Sequence, residues 1–332
     1  VSMSDFFEVN ESLRTLGKGR MGTVKLYREK VSKSSPTCPT STPSSSTLKA
    51  VKIIRRSDVK SSAMAARIFN EKKALAAVSS NPYTLSLIDT HKDSENLYFI
   101  MSAELGGPLH KHFRSSNSGK FAYTRARHYL MNLISALIYM HDKGFVHRDV
   151  KASNILLSCT GSAVLADFGY AKHILSPTSS EPTPTFTFCG TLHCMAPEVV
   201  RRTGHTFSAD WWSLGVLLYE MMAGGPPWGY GVGEVEREQL QVKLSGAVPP
   251  VPFPSSVFAG VGGSARDLVS RLLLEVPEDR LCSLEEFKAE IFFEGCDWGF
   301  GAEGGYVEVR DEPPGFDRNI GDLDVVEGGE DG

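Results

Sequence analysis

Two short polar runs that lie close together in the sequence constrain this chain most. The first is GFVHRDVKASN at positions 144–154, and the second is ADFG at 166–169. The apolar triplets ILL at 155–157 and AVL at 163–165 lie between them and predict two short buried strands. A hairpin of these strands would bring two carboxylates, a lysine and an asparagine to one end of the strand pair. These four residues are Asp149, Lys151, Asn154 and Asp167.

The four side chains suit one kind of chemistry. Two carboxyl groups and an amide can hold Mg²⁺ and orient a hydroxyl group, while a lysine neutralises a phosphoryl group during its transfer. Phosphoryl transfer depends mainly on positioning and electrostatic stabilisation. The pattern therefore predicts a site for phosphoryl transfer.

The wider pattern, H-R-D-x-K-x-x-N followed by D-F-G, resembles the signature of the protein kinases. The resemblance implies an α+β fold with two lobes: a small antiparallel β-sheet lobe with one main helix, and a larger, mainly helical lobe. It implies a kinase domain over residues 6–293, with the small lobe at about 6–101, the hinge at 102–107 and the large lobe at 108–293.

Composition narrows the class of protein further. A chain of 332 residues is long enough for a two-lobed domain with a full hydrophobic core, and a net charge of −4 argues against a general nucleic-acid binder. No apolar run approaches the ~20 residues that span a bilayer, and no signal peptide opens the chain, so we expect no membrane span. The six cysteines are then most simply reduced thiols, and we predict a cytoplasmic, or cytoplasmic and nuclear, enzyme.

A glycine-rich run, GKGRMGTV at 17–24, lies near the start of the chain. A lone G-x-G-x-x-G motif is weak evidence for a nucleotide site of the kinase type, because the dinucleotide-binding turn also contains it. That turn requires a helix directly after the glycines. Here the alternating run TVKLY at 23–27 predicts a strand instead. A strand, a glycine loop and a second strand form the kinase arrangement over nucleotide phosphates, and a tight hairpin without a ligand is the alternative.

The apolar strand predicted at 48–54 carries one inward-facing lysine, Lys52. The resemblance implies that Lys52 grips the α- and β-phosphates of ATP and pairs with Glu71, on a helix predicted at 63–78. The alternative is a strand-edge lysine that reaches solvent.

The resemblance also implies an adenine site behind the glycine loop. Two further strands are predicted at 85–88 and 97–101, and the hinge follows them. Apolar side chains would sandwich the ring, because a purine face binds best between them, although each is otherwise an ordinary core residue. The implied ATP contacts besides Lys52 are Leu16, Gly17, Lys18, Gly19, Gly22, Val24, Ala50, Met101, Ser102, Glu104 and Leu156.

The resemblance gives each residue of the catalytic hairpin a role. Asp149 accepts the proton of the substrate hydroxyl or orients that hydroxyl, and Lys151 contacts the γ-phosphate. Asn154 and Asp167 hold Mg²⁺. A lysine two places after the aspartate is the serine/threonine form of the motif, so the implied substrates are serine and threonine hydroxyls of proteins. His147 is interpreted as a packing residue.

The run TFTFCGT at 185–191, followed by APE at 196–198, resembles the activation segment of the cyclic-nucleotide-dependent kinases of the AGC group. The resemblance implies signalling of that type and a phosphorylation site at Thr187, with a regulatory subunit or an upstream activating kinase as partner. The phosphate would tie the catalytic loop to the helix that carries Glu71. Its basic ligands would be Arg148, Lys172 and Arg67. The alternative is that Thr187 is an ordinary residue of an extended loop.

Two acidic residues have scaffold roles in this interpretation. Glu198 is predicted to pair with Arg280, and Asp210 to cap the backbone of the catalytic loop. Two cysteines, Cys189 and Cys194, flank the predicted substrate site. A thiol there is inert unless its pKa is lowered.

Several positions depart from the family pattern and leave the preferred substrate sequence open. The run LHC at 192–194 stands where close relatives have Pro-Glu-Tyr. Pro108 and Ser153 replace two acidic residues that select basic substrates, while Glu220 remains.

The ends and insertions fit the same family. A run rich in serine, threonine and proline at 32–47 predicts a disordered insertion between two strands, and residues 294–332 resemble an AGC C-terminal tail. The alternative function is a pseudokinase, a nucleotide-binding scaffold without transfer, which predicts loss of Lys52, Asp149 or Asp167; all three are present. A dinucleotide-binding oxidoreductase is the third candidate.

Overall fold

The small lobe is an antiparallel sheet of five strands. The strands are β1 (Arg14–Gly19), β2 (Gly22–Arg28), β3 (Leu48–Arg55), β4 (Leu87–Lys92) and β5 (Asn96–Ser102), and they lie in the order β1-β2-β3-β5-β4. A strand therefore follows the glycines directly, as the alternating run at 23–27 predicted. This excludes the dinucleotide-binding turn, which requires a helix at that point.

The computed structural model describes residues 13–19, 21–28, 48–115, 120–176, 179–228, 243–244, 247–258, 262–300 and 307–309. The predicted insertion at 32–47, the first residues of the predicted domain at 6–12 and most of the predicted tail lie outside the described residues.

The main helix of the small lobe is α1 (Ser62–Val78). The Ser61 hydroxyl caps its first turn by accepting a hydrogen bond from the Met64 N–H at 3.2 Å. Its buried face follows the helical period, and Ile68 and Leu75 join one core cluster with Phe99 of β5. Glu71 is the charged member of this buried face.

The strand predicted at 85–88 is wrong in its position. Leu85 is buried, but its N–H donates to the carbonyl of Leu165 at 2.9 Å, outside the sheet. The sheet strand begins at Leu87 and continues through polar residues to Lys92. Apolar character at 85–88 does not mark the paired strand, because Leu85 is buried outside the sheet and Ile88 is exposed, whereas pairing along the sheet depends on backbone register.

The larger lobe is mainly helical. Its helices are α2 (Leu109–Ser115), α3 (Tyr123–Asp142), α4 (Pro197–Arg201), α5 (Ser208–Ala223), α6 (Ser255–Phe258), α7 (Gly263–Leu272) and α8 (Leu284–Lys288). Helix α3 buries the apolar positions that recur at helical spacing, and it is followed by Gly144 with φ of +79°. Trp211 and Trp212 of α5 are core residues.

Short strand pairs connect these helices. They are β6 (Phe145–Val146) with β9 (Lys172–His173), β7 (Ile155–Leu157) with β8 (Ala163–Leu165), β10 (Leu175–Ser176) with β11 (Ser179–Pro182), and β12 (Trp298–Phe300) with β13 (Val307–Val309). Strand β13, in the predicted tail, lies beside α3.

The predicted fold class is confirmed: a small antiparallel sheet with one main helix is joined to a larger helical lobe. Within the described ranges, no helix combines the length and the apolar character needed to cross a bilayer.

Candidate active site

The hairpin of β7 and β8 assembles the catalytic end of the large lobe. Its strands pair from Ile155 opposite Leu165 to Leu157 opposite Ala163. Beyond the last strand pair, the Ala166 N–H donates to the Asn154 carbonyl at 2.8 Å. The first polar run therefore ends, and the second begins, at the same end of the hairpin, which is the arrangement that the apolar triplets predicted.

Three side chains converge on the carboxylate of Asp149, which is buried. Asn154 Nδ2 donates to its Oδ2 at 2.8 Å, and Lys151 Nζ lies 2.9 Å from the same oxygen. The Thr191 hydroxyl donates to its Oδ1 at 2.7 Å. Donors on both oxygens hold the carboxylate in one orientation, as a residue that must align a hydroxyl group requires.

Thr191 is a site residue that the sequence analysis did not single out. Its hydroxyl also accepts a hydrogen bond from Lys151 Nζ at 2.6 Å, so it bridges Lys151 and Asp149. Within the sequence it appears only as the end of the run TFTFCGT, and no local pattern marks its side chain. A threonine placed between a catalytic-loop lysine and aspartate is visible only after folding.

The backbone of the catalytic loop is held by a buried carboxylate on α5. Asp210 Oδ2 accepts from the His147 N–H at 2.8 Å, and its Oδ1 accepts from the Arg148 N–H at 2.7 Å. His141 Nε2 lies 2.8 Å from Oδ2. Burial alone raises the pKa of Asp210, but these hydrogen bonds outweigh it and lower the pKa. Asp210 therefore stabilises the loop as its anion.

Two residues of the site have left-handed backbones. Arg148 has φ of +68° and Asp167 has φ of +57°, a region that side chains other than glycine rarely adopt. Asp210 holds Arg148 in place, and Gly190 packs so closely on it that a Cβ there would lie 2.5 Å from the Arg148 carbonyl oxygen. Such strained positions persist where surrounding contacts impose them, and they concentrate at functional sites.

His147 packs between the catalytic loop and the second polar run. Its ring is fully buried, with Nε2 at 3.2 Å from the Ala166 carbonyl oxygen and Nδ1 accepting from the Asp149 N–H at 3.2 Å. The ring also contacts Phe168 edge to face, with centroids 5.2 Å apart. These contacts occupy both ring nitrogens and give His147 a packing role between the two polar runs.

Lys52 of β3 contacts Glu71 of α1 through Nζ and Oε1. Burial raises the pKa of Glu71, and the neighbouring Lys52 charge opposes that rise. The other oxygen, Oε2, is buried and has no hydrogen-bond partner among the described residues. It faces the Asp167 end of the site, where a Cβ on Gly169 would lie 3.8 Å from it. The small lobe thus brings a lysine and a partly unsatisfied carboxylate to the second polar run.

The glycine-rich hairpin forms one edge of the small-lobe sheet. Leu16, Gly17, Lys18 and Gly19 all lie in β1, and every residue of β1 is exposed. A Cβ added at Gly17 would meet nothing within 4 Å, whereas one at Gly22 would collide with the Ile53 carbonyl oxygen. The glycine at 22 is therefore needed for close strand packing, while the space around Gly17 is open for a ligand.

Apolar and backbone groups line the inner end of the cleft. Ala50 of β3 lies opposite Met101 of β5, and both are buried. Leu156 pairs with Pro108 at the end of the hinge. Val24 of β2 lies opposite Lys52, and Ser102 is the last residue of β5. Glu104 follows in the predicted hinge, where burial raises its pKa.

A Mg²⁺ nucleotide fits the donor set of this cleft. Asn154 uses its amide nitrogen for Asp149, which leaves its amide oxygen as an acceptor, and Asp167 supplies a second oxygen ligand. The glycine hairpin leaves open space around Gly17. The residues present therefore fit a Mg²⁺-bound nucleotide.

Basic groups surround the activation segment. Lys172 Nζ donates to Thr185 Oγ1 at 2.8 Å, and Thr187 Oγ1 lies 3.5 Å from Thr185 Oγ1. Arg148 Nε donates to the Tyr170 carbonyl at 2.7 Å, but its buried Nη1 has no partner in the described part of the chain.

The basic residues beside the activation segment affect one another's pKa. Burial lowers the pKa of Arg148, the nearby Cys189 and Asp210 oppose that change, and Arg67 adds to it. Burial and then the Arg148 charge lower the pKa of Lys172. Arg67 lies 3.8 Å from the Tyr170 ring and donates to the Gly169 carbonyl. The three basic residues predicted for a Thr187 phosphate therefore share one neighbourhood, and Thr187 itself is exposed.

The substrate side of the site carries the departures from the family pattern. His193 Nε2 lies 3.4 Å from Glu220 Oε1, so the remaining acidic residue already has a partner. Burial raises the pKa of Cys189, and it raises that of Cys194 well above its usual range. Thiols with raised pKa values are poor nucleophiles, so neither cysteine has the properties of a redox sensor.

The small lobe carries a glycine hairpin and a lysine–glutamate pair, and the large lobe carries a catalytic loop with a fixed aspartate. These features together define the class of this protein as a protein kinase. A comparison with protein families matches residues 10–293 to the protein kinase domain. The chain belongs to the protein kinase family, and it is an ATP-dependent serine/threonine kinase of the AGC type.

Three relatives illustrate the similarity. A "cAMP-dependent protein kinase, catalytic subunit-like" of Caenorhabditis briggsae is 34% identical over 293 residues, which cover 87% of this chain and 67% of the relative. The serine/threonine-protein kinase gad8 of Schizosaccharomyces pombe is 34% identical over 291 residues, 87% of this chain and 46% of that protein. The human cGMP-dependent protein kinase 2 is 31% identical over 301 residues, 90% of this chain and 36% of that protein.

Proposed function

We propose that this kinase transfers the γ-phosphoryl group of Mg²⁺-bound ATP to serine and threonine hydroxyls of proteins at Asp149, and that phosphorylation of Thr187 switches it on. The observation that carries the proposal is the convergence of Lys151, Asn154 and Thr191 on the Asp149 carboxylate. A residue that must align an acceptor hydroxyl needs a carboxylate that is held in one orientation, and these three donors supply that restraint.

Each residue of the site has a defined task. Asp149 aligns the acceptor hydroxyl and takes its proton as the oxygen–phosphorus bond forms and the bond between the γ-phosphorus and the β–γ bridging oxygen breaks. Lys151 offsets negative charge on the transferring group. When bound, Mg²⁺-ATP supplies the phosphoryl group and a cation that neutralises its phosphates. Lys52, oriented by Glu71, holds the inner phosphates.

The nucleotide would be held along the cleft between the lobes. Asn154 and Asp167 would bind the metal, and Lys52 would bind phosphate oxygens. Apolar and hinge groups would enclose the adenine, and the glycine loop would lie over the phosphates. The first set is Leu16, Val24, Ala50, Met101, Ser102, Glu104 and Leu156, and the second set is Gly17, Lys18, Gly19 and Gly22.

The switch rests on charge. The buried Nη1 of Arg148 has no partner among the described residues, and Lys172 and Arg67 lie beside it. A phosphate on Thr187 adds a dianion that these groups can bind, which would connect the catalytic loop with α1. Relatives named as cAMP-dependent and cGMP-dependent kinases support a place in signalling of the cyclic-nucleotide type, with a regulatory protein or an activating kinase as partner.

The experiment is a transfer assay with γ-labelled ATP and a degenerate mixture of serine and threonine peptides. We expect label on the peptides from the wild-type chain. Asp149→Asn keeps the shape of the side chain but removes the base, and it should lower kcat by about 10²–10⁴-fold. Lys52→Met removes the ammonium that would bind phosphate oxygens, so it should also lower kcat severely. Lys60→Met, at an exposed lysine just before α1, is its matched control and should not lower kcat. Equal transfer by wild-type and Asp149→Asn protein would disprove the proposal.

A further inference from the structure

Lys243 is a buried cation outside the catalytic site. Its side chain is 0% exposed, although lysine is almost never fully buried without a partner. Nζ donates to the carbonyl of Leu192 and to that of His193, both at 2.9 Å. Within the described part of the chain it makes no ion pair with a carboxylate. The ammonium group of Lys243 therefore donates to two backbone carbonyls.

The two carbonyls belong to the turn Leu192–Cys194, which begins one residue after Thr191. The Thr191 hydroxyl contacts Asp149 and Lys151, so the acceptor hydroxyl of a substrate must come close to this point. A substrate chain that continues past its acceptor residue then runs along the turn. Because both carbonyls face inward to Lys243, the opposite side of the turn faces outward.

Lys243 is itself anchored from the other side. Arg201 Nε of α4 donates to the Lys243 carbonyl at 2.8 Å, and Arg201 Nη1 lies 2.7 Å from Glu275 Oε1. Glu275 Oε2 accepts from the Val248 N–H at 2.8 Å. The lysine therefore joins the turn to a fixed part of the large lobe.

A buried charge without a counter-ion is costly, and an apolar residue of similar size would pack there at lower cost. Among the described residues, hydrogen bonds to the turn are what offset this cost. Resting on the function proposed above, we infer that Lys243 is a positioning residue for the protein substrate: its ammonium holds the turn Leu192–Cys194 in the shape that receives the substrate segment after the acceptor residue.

The pH dependence of substrate binding can test this role, because Lys243 must be protonated to form both hydrogen bonds at full strength. Burial lowers its pKa to about 7, and the nearby Cys194 opposes the change slightly. Among the residues that the structure describes, the charged and titratable groups near it are Cys194, whose pKa is raised well above its usual range, the Arg201 guanidinium with Glu275, and the His193 side chain with Glu220. Loss of the ammonium proton above neutral pH weakens both hydrogen bonds, so the KM for substrate should rise from pH 6.5 to 8.5.

The test uses the full chain, γ-labelled ATP and a degenerate serine and threonine peptide mixture without histidine or cysteine. Lys243→Met should raise the KM for the peptides about ten- to hundredfold, the loss expected for hydrogen bonds from a charged donor, while the KM for ATP changes less than about twofold. The wild-type KM for peptides should rise with pH, and that of Lys243→Met should not. His193→Gln removes the imidazole of the turn and should keep the wild-type pH response.

The possible results distinguish a failure of the Lys243 inference from a failure of the proposed function. A peptide KM of the wild-type chain that is independent of pH overturns the inference, even if Lys243→Met fails to fold. A folded Lys243→Met with an unchanged peptide KM, or with equal losses for peptide and ATP, also overturns it. If the wild-type chain labels no peptide at any pH, the proposed function fails, and the inference fails with it.

Discussion

The carboxylate of Glu198 and the guanidinium of Arg280 form two parallel hydrogen bonds inside the large lobe, at 2.6 Å and 2.8 Å, across 82 residues of sequence. Both side chains are buried, and Arg280 also donates to the carbonyls of Leu274, Glu275 and Ser208. The arginine thus connects α4, the start of α5 and the segment after α7. This pair is a structural joint of the lobe rather than part of the chemistry.

Removing one partner of this joint should destabilise the fold. Arg280→Leu leaves the Glu198 carboxylate buried without its partner, so the free energy of unfolding in urea should fall by about 3–5 kcal/mol. Lys288→Ala, which breaks the exposed pair with Glu285, is the control and should change it by less than about 0.5 kcal/mol. Equal effects of the two substitutions would contradict the structural role.

Thr191 should matter through its hydroxyl. Thr191→Val keeps the branched shape but removes the donor to Asp149 and the acceptor for Lys151, so kcat should fall by about tenfold or more. Thr191→Ser restores the hydroxyl and should recover most of the activity. Steady-state kinetics at saturating ATP measure both, and a Thr191→Val enzyme with wild-type kcat would show that the bridge is dispensable.

Phosphorylation of Thr187 should raise activity. Thr187→Ala should keep the enzyme in its low-activity state, because no dianion then reaches Arg148 and Lys172. Thr183→Ala removes another exposed threonine of the same segment and should leave activation intact. The measurement is peptide phosphorylation before and after phosphatase treatment, and full activity of dephosphorylated wild-type enzyme would rule out the switch.

His205 should make stability depend on acid pH. Its buried ring lies opposite Thr185, neither ring nitrogen has a partner in the described part of the chain, and burial, followed by the Arg148 charge, lowers its pKa to about 4. Between pH 6.5 and 4 the unfolded state binds one more proton than the folded state, so stability is lost as pH falls through this window.

The loss attributable to His205 should reach about 2 kcal/mol, after allowance for screening by solvent. Urea unfolding at pH 7 and pH 4.5 measures it. His205→Phe should lose less stability on acidification than the wild-type chain, whereas His173→Gln, at an exposed histidine, should behave like the wild type. Identical pH dependence of wild type and His205→Phe would contradict the prediction.

The sequence by itself determined the elements and the chemistry that depend on neighbours in the chain. The apolar triplets at 155–157 and 163–165 form the strands that they predicted, and Asp149, Asn154 and Asp167 lie near one end of that hairpin for the same local reason. The strand after Gly22 followed from alternation, which excluded a dinucleotide turn. Local period and turn chemistry carry this information because they act within a few residues.

Only the tertiary structure decided which distant side chains complete the site. Thr191 reaches Asp149 across 42 residues, and Lys243 reaches the carbonyl of Leu192 across 51. The left-handed backbone of Arg148 depends on Asp210, 62 residues away, and the start of β4 depends on register within the sheet. These contacts have no periodic signature, because they arise when separate elements pack together and one buried polar group must find its partner on another.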